Sequence, residues 1–96
     1  MATKDPLSVG PHLPASYEAA DASALQALQD GSANEDQQKR ALRWIIERAS
    51  GTYEAHFYPD ERFTTFALGR AYVGQQVVKM LRLNVSTLRS MEDGKR

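Results

Sequence analysis

The sequence predicts an all-α fold, with a short N-terminal helix, an antiparallel two-helix core and an extended N-terminal arm. Three observations support this prediction. Apolar residues recur at helical spacing over residues 63–81, glycines follow two earlier helical stretches, and the prolines fall at positions 6, 11, 14 and 59. The chain therefore divides into an arm over residues 1–14, a small helical domain over residues 15–83 and a polar C-terminal tail over residues 84–96.

The arm and the first helix differ in composition. Pro6, Pro11 and Pro14 argue against a helix in the arm, because proline fixes φ and lacks a backbone donor. Residues 15–30 are instead rich in alanine, leucine and glutamine, and Gly31 follows them where a helix would end. We expect a short helix here.

The second helix has clear end signals. Asn34 is a plausible N-cap for a helix over residues 35–49, and Gln37 occupies the capping-box position three residues later. Gly51 follows the last apolar position and is expected to end the helix and to allow close packing. The sequence thus predicts a helix of about four turns, at 3.6 residues per turn.

This second helix has two different faces. Leu42 and Ile46 form its predicted core stripe, whereas Trp44 points nearly opposite, among arginines. Large aromatic side chains beside arginines are enriched at binding hot spots, so Trp44 is a candidate contact for another protein. An exposed tryptophan without a partner is the alternative.

A loop leads to the longest helix. Tyr53 and Phe57 lie four residues apart, which predicts a single helical turn whose aromatic rings cover one end of the core. Asp60 is predicted to cap a third helix over residues 61–83, about 34 Å long at 1.5 Å per residue. A helix longer than its partner is partly uncovered in a single molecule.

One face of the third helix is predicted to pack, through Phe63, Arg70, Gly74 and Val77. Glycine inside a helix costs on the order of 1 kcal/mol relative to alanine, so Gly74 predicts that another backbone approaches closely. Arg70 cannot lose its charge and needs a partner. Glu47 and Glu54 are the candidates within the chain, and an acid across an interface is the alternative.

The opposite face carries Leu68, Tyr72 and Lys79. These residues repeat the pattern of a large side chain beside a basic one. Together with Trp44 they form the predicted protein interface, which would contact other proteins or copies of this chain.

A family resemblance concerns the same helix. Residues 69–74 read Gly-Arg-Ala-Tyr-Val-Gly, follow Thr64-Thr65-Phe66 and precede an aliphatic run to Leu81. This motif resembles the Gly-Arg-Arg-x-Val-Gly core of a small phage-encoded helical domain family typified by a Bordetella phage member. The segment from Arg40 to Ile46, with the following aromatic residues, is also similar, and the resemblance covers roughly residues 36–83. It implies two paired helical segments and a bacteriophage setting near head and portal genes.

Composition argues against several function classes. Twelve basic and twelve acidic residues cancel, which removes the simplest electrostatic argument for a nucleic-acid partner. Cysteine is absent, and His12 and His56 match no common zinc spacing. Neither histidine has a recognisable catalytic constellation, and His56 is expected to be structural. We predict no enzyme activity, catalytic residue, cofactor or metal.

Three functions follow, in order of preference. The first is a structural protein of a tailed-phage virion that binds other virion proteins in the head, portal or neck region, such as the head-tail connector. The second is a DNA-binding regulator that uses Arg82 and Arg89 in a helix-turn-helix. The third is a transient packaging or virion-assembly accessory. No segment approaches a membrane span and no secretory signal is evident, so we expect synthesis in the host cytoplasm and, for the first function, a place in the virion.

Overall fold

The computed structural model describes residues 10–94 and shows only helices and connecting loops there. This confirms the all-α class. The first nine residues of the predicted arm lie outside the described range. The helical elements, in chain order, are α1 (Ala19–Gln29), α2 (Glu35–Trp44), a π-helical turn (Ile45–Ala49), α3 (Glu61–Arg82) and α4 (Val85–Gly94).

Side chains cap the helices as the sequence predicts. The Asn34 Oδ1 accepts a hydrogen bond from the Gln37 backbone N–H at 2.8 Å, and the Gln37 Oε1 accepts one from the Asn34 N–H at 3.0 Å. This reciprocal capping box starts α2. The Asp60 carboxylate accepts a hydrogen bond from the Arg62 backbone N–H at 2.8 Å and so caps the start of α3.

The π turn widens the end of the second helix. The Ser50 N–H donates to the Ile45 carbonyl at 2.9 Å, five residues back instead of four. Gly51 then takes a φ of +58°, a left-handed conformation that ends the helix and that glycine adopts readily. The predicted helix therefore reaches Ala49, but its last five residues are π-helical.

The prediction of a helical turn over residues 53–57 is wrong. Residues 52–54 form a bend, in which the Glu54 N–H donates to the Gly51 carbonyl at 3.1 Å. The Tyr58 N–H instead donates to the Thr64 hydroxyl of α3 at 2.9 Å. These bonds satisfy the loop backbone without a helix. The rings of Tyr53 and Phe57 do not cover the core, and they are 66% and 93% exposed.

The core is small and lies in two places. α1 packs against α2, whereas α3 meets, among the described helices, only the π turn. The regular part of α2 is therefore paired with α1, and the predicted antiparallel pairing of the two main helices is not what the structure shows. The buried apolar residues are Ile46 and the alanines at positions 24, 41, 67 and 71.

Leu42 corrects the predicted core stripe. It is 36% exposed, because α3 does not cover the part of α2 on which Leu42 lies. Ile46 is buried, since it belongs to the π turn that α3 contacts. Phe63 and Val77 are half-buried.

The segment predicted to be a polar tail contains a helix. Asn84 starts α4 by accepting from the Thr87 N–H at 3.0 Å. The apolar residues that looked scattered in sequence are spaced three residues apart, at Val85, Leu88 and Met91. α4 meets none of the other described helices, and Val85 and Met91 remain exposed.

The molecule is extended for its length. Its radius of gyration is 17.8 Å, against about 12.5 Å for a compact chain of 96 residues. Its accessible surface is 7759 Å², against about 5,500 Å² for a compact monomer of 10.7 kDa. This fold therefore exposes about 2,200 Å² more surface to water than a compact monomer of the same mass.

Candidate protein-interaction surface

α3 approaches the end of the second helix most closely at one joint, formed by Ser50, Thr52 and Gly74. The Ser50 hydroxyl donates to the Arg70 carbonyl at 2.7 Å and accepts from the Gly74 N–H at 2.7 Å. These two backbone groups are the acceptor and the donor of one turn of α3, four residues apart. The Thr52 hydroxyl donates to the Ile46 carbonyl at 2.8 Å and lies directly against Gly74. A Cβ at position 74 would overlap Thr52 and come within 2.9 Å of Ser50. Gly74 therefore lies at the closest approach of the two segments.

Arg70 ties a loop and the N-terminal segment to this joint. Its Nη2 donates to the Glu54 carboxylate at 3.0 Å, and its Nη1 donates to the Pro11 carbonyl at 3.0 Å. The Arg70 side chain is only 18% exposed, and it lies against Gly51, which has no Cβ to block it. Of the partners considered from sequence, the intramolecular one at Glu54 is the one that forms.

His56 is part of the same loop. Its Nε2 lies 3.0 Å from the Gly51 carbonyl, which gives the ring a structural contact. Among residues 10–94, no three metal-ligating side chains come together. In the same part of the chain, no helix has the length and apolar character needed to cross a membrane.

Trp44 is less exposed than its position in sequence indicates. The indole N–H donates to the Ser16 carbonyl at 3.0 Å, so the segment before α1 lies across the ring. Beside it, Arg40 bonds Asp21 at 2.8 Å and Glu18 at 3.1 Å. The Glu18 backbone N–H and then the Arg40 guanidinium hold the pKa of Asp21 below its ordinary value of 3.8. Trp44 thus helps to fasten α1 to α2, and only part of the ring is available to a partner.

The predicted interface residues of α3 lie together on its outer side. Leu68 and Tyr72 are both more than half exposed, and Lys79 is exposed about two turns beyond Tyr72. Lys79 forms no salt bridge with any described residue. The structure therefore brings Leu68, Tyr72 and Lys79 onto one surface and places Trp44 elsewhere, on the α1–α2 side.

A second exposed ridge of α3 was missed from sequence. Phe66, Val73 and Met80 are 48%, 57% and 67% exposed. They are seven residues apart, and with Gly69 they lie within about 60° around the helix. The repeat of seven was visible in the sequence, but it was not separated from the packed stripe. We call Phe66, Gly69, Val73 and Met80 the α3 ridge.

Charge is divided along the chain. From Arg62 to Met91 there are five basic residues and no acidic one, whereas residues 10–61 contain nine acidic and four basic residues. Of the five basic residues, Arg62 and Arg70 are paired with acids, and the remaining three form no salt bridge with a described residue. α3 beyond Glu61 is therefore basic and carries exposed apolar side chains, whereas α4 carries Arg89 together with the acidic Glu92 and Asp93.

Comparison with known proteins gave no relative: no family model matches the chain, and neither a curated protein nor a solved structure is similar to it.

Proposed function

We propose that this chain is a small structural protein of a tailed-bacteriophage virion, which binds other virion proteins in the head, portal or neck region through α3 and α4. The observation that carries the proposal is the exposed surface. The molecule exposes about 2,200 Å² more surface than a compact monomer of its mass. Each partner in a standard interface buries roughly 800 Å², so the excess is large enough for such an interface.

The shape of the molecule supports a binding role. Towards its C-terminus, the last hydrogen bond of α3 to another part of the described chain is at the joint formed by Ser50 and Gly74, so its last two turns and α4 project beyond this joint. Exposed apolar side chains on this projecting part, such as Met80 and Leu81, are typical of a surface that another protein covers. The resemblance of residues 69–74 to the phage domain motif supports the virion setting.

The proposal predicts that the chain is found in assembled particles. Mass spectrometry of gradient-purified particles should detect it in fixed ratio to a portal, head or neck protein. Cross-linking should then join Lys79 to another virion protein more often than Lys39, because Lys79 lies on the projecting α3 and Lys39 lies on α2, bonded to Glu35 at 2.9 Å. A chain made in infected cells but absent from particles would contradict the proposal and favour the transient packaging accessory.

One observation favours a DNA-binding regulator as a second candidate. α3 and α4 are joined only by Leu83 and Asn84, and they carry three basic residues without a salt bridge to a described residue, at positions 79, 82 and 89, beside the acidic Glu92 and Asp93 of α4. A helix-turn-helix, however, packs its two helices together, and α4 does not pack on any described helix. A DNA binder would lose duplex affinity steeply as salt rises, and an absence of binding at low salt would exclude it.

A further inference from the structure

Two glycines of α3 differ in a way that the chain alone does not explain. At Gly74 a Cβ would meet Thr52 and Ser50, so the fold itself requires glycine. At Gly69 an added Cβ would meet nothing within 4 Å. Gly69 is nevertheless inside a 22-residue helix, where glycine costs roughly 0.5–1 kcal/mol relative to alanine. Nothing within the described chain makes glycine necessary there.

Gly69 lies on the α3 ridge, between Phe66 and Val73. If Phe66, Val73 and Met80 occupy the a positions of a heptad, Gly69 and Gln76 occupy the d positions within α3. The a positions are all large and apolar, and the first d position is a glycine. A ridge of this kind fits a second helix that lies close to α3 and inserts a side chain above Gly69.

We propose that α3 pairs with α3 of a second copy of this chain, antiparallel, about a two-fold axis between Gly74 and Gln75. In this arrangement Gly69 faces Met80 of the second copy, and Met80 faces its Gly69. Val73 likewise faces Gln76. The missing side chain at Gly69 makes room for the long, flexible side chain of Met80.

Charge selects the antiparallel orientation. α3 begins with Glu61 and ends with Lys79 and Arg82, and none of these three forms a salt bridge with a described residue. A parallel pair would bring the basic ends of both copies together. The antiparallel pair brings the acidic start of each α3 towards the basic end of the other. It also opposes the two helix dipoles.

The pair covers the surface that a single copy leaves exposed. Both joints, at Ser50 and Gly74, then lie near the two-fold axis, and the contact is made by the two exposed ridges. The ridge runs about 21 Å from Phe66 to Met80, at 1.5 Å per residue. Such a pair is isologous, because the same residues of both copies form the contact. This inference rests on the proposed function in that it names one partner of the α3 surface.

Single-cysteine variants test the pairing, because the chain contains no cysteine. Gly69→Cys and Met80→Cys are made separately, one with an affinity tag, and are mixed and oxidised as pure proteins. A disulfide requires Cα atoms within about 7 Å. The mixture should form the mixed disulfide, whereas each variant alone should form little, since the two Gly69 positions are about 16 Å apart along the axis. Leu68→Cys, on the outer side of α3, is the matched control.

Efficient linking of Gly69→Cys to itself would overturn the antiparallel arrangement. Linking of the mixture no greater than that of the Leu68→Cys control would overturn the pairing, provided that circular dichroism shows full helicity. These outcomes are independent of the virion proposal, because only the purified chain is present. Loss of the proposed virion binding would be seen in particles instead.

Gly69→Ala gives a second measurement with opposite effects in the monomer and the dimer. Alanine favours the helix, so helicity should be maintained or rise. The added methyl groups should displace both Met80 side chains and raise the dimer dissociation constant about tenfold or more, as measured by sedimentation velocity. Unchanged self-association in Gly69→Ala would refute the pairing. A wild-type chain that stays monomeric at about 100 µM would also refute it, because a dissociation constant of that size corresponds to a binding free energy of only about 5–6 kcal/mol.

Discussion

Gly74→Ala is expected to destabilise the fold although alanine is the better helix former. The gain in helix propensity is roughly 0.5–1 kcal/mol. Against it, the new Cβ would overlap Thr52 and press on Ser50, and overpacking of this kind costs about 1–3 kcal/mol. Moving Ser50 also weakens its two 2.7 Å bonds to the α3 backbone, each worth about 0.5–1.5 kcal/mol. The net loss in the free energy of unfolding is about 2 kcal/mol.

Gly69→Ala is the matched control, because the same substitution in the same helix meets open space. It should raise the free energy of unfolding of the monomer by about 0.5–1 kcal/mol. Urea unfolding followed by far-UV circular dichroism at low protein concentration measures both variants. With an m-value of about 1 kcal/mol per M, their midpoints should differ by about 2–3 M. If Gly74→Ala were as stable as the wild type or more stable, the close approach at Ser50 would be refuted.

Three further changes test the contacts around the joint and the α1–α2 pair. Arg70→Ala should cost roughly 1–3 kcal/mol in urea unfolding, less than the 3–5 kcal/mol of a fully buried pair, because the remaining Glu54 side chain is 47% exposed to water. Asp21 has a lowered pKa when folded, so it stabilises the fold above about pH 4, and this contribution is lost as pH falls through the lowered value. Asp21→Asn should flatten that part of the urea midpoint's dependence on pH, and a profile unchanged from wild type would contradict the stabilising role of the Asp21 carboxylate. Trp44→Phe should lower the free energy of unfolding by about 0.5–1.5 kcal/mol, since the indole hydrogen bond is lost, and a neutral result would show that the bond contributes nothing.

The sequence was informative about local features. The N-caps at Asn34 and Asp60 were predictable because a capping residue and its acceptors lie within a few residues of one another. For Arg70 the sequence offered Glu47 and Glu54 within the chain and an acid across an interface as the alternative, and the bond to Glu54 is the one that the structure shows. These features depend on short-range spacing, which a single sequence displays directly.

The features that were missed depend on how helices meet. Apolar spacing does not distinguish an α-helical from a π-helical last turn, and it is the π turn that presents Ser50 to α3. Leu42 has the spacing of a core residue, but whether it is covered depends on the direction of α3. The helix after Asn84 was missed because it meets no other described helix, so no packed apolar stripe marked it in the sequence.

Gly69 and Gly74 show why exposure must be judged residue by residue. In sequence both are glycines inside one helical pattern, and both indicate close packing. The structure provides the neighbour at Gly74, where Ser50 and Thr52 press against the α3 backbone, and provides none at Gly69. Both glycines destabilise α3 relative to alanine, but only Gly74 is required by the fold of the single chain. Gly69 therefore indicates close packing against something outside the chain. Gly69 lies on the same face of α3 as Val73 and Met80, which are themselves exposed. The exposed ridge is therefore better explained as a contact surface than as chance exposure of apolar residues.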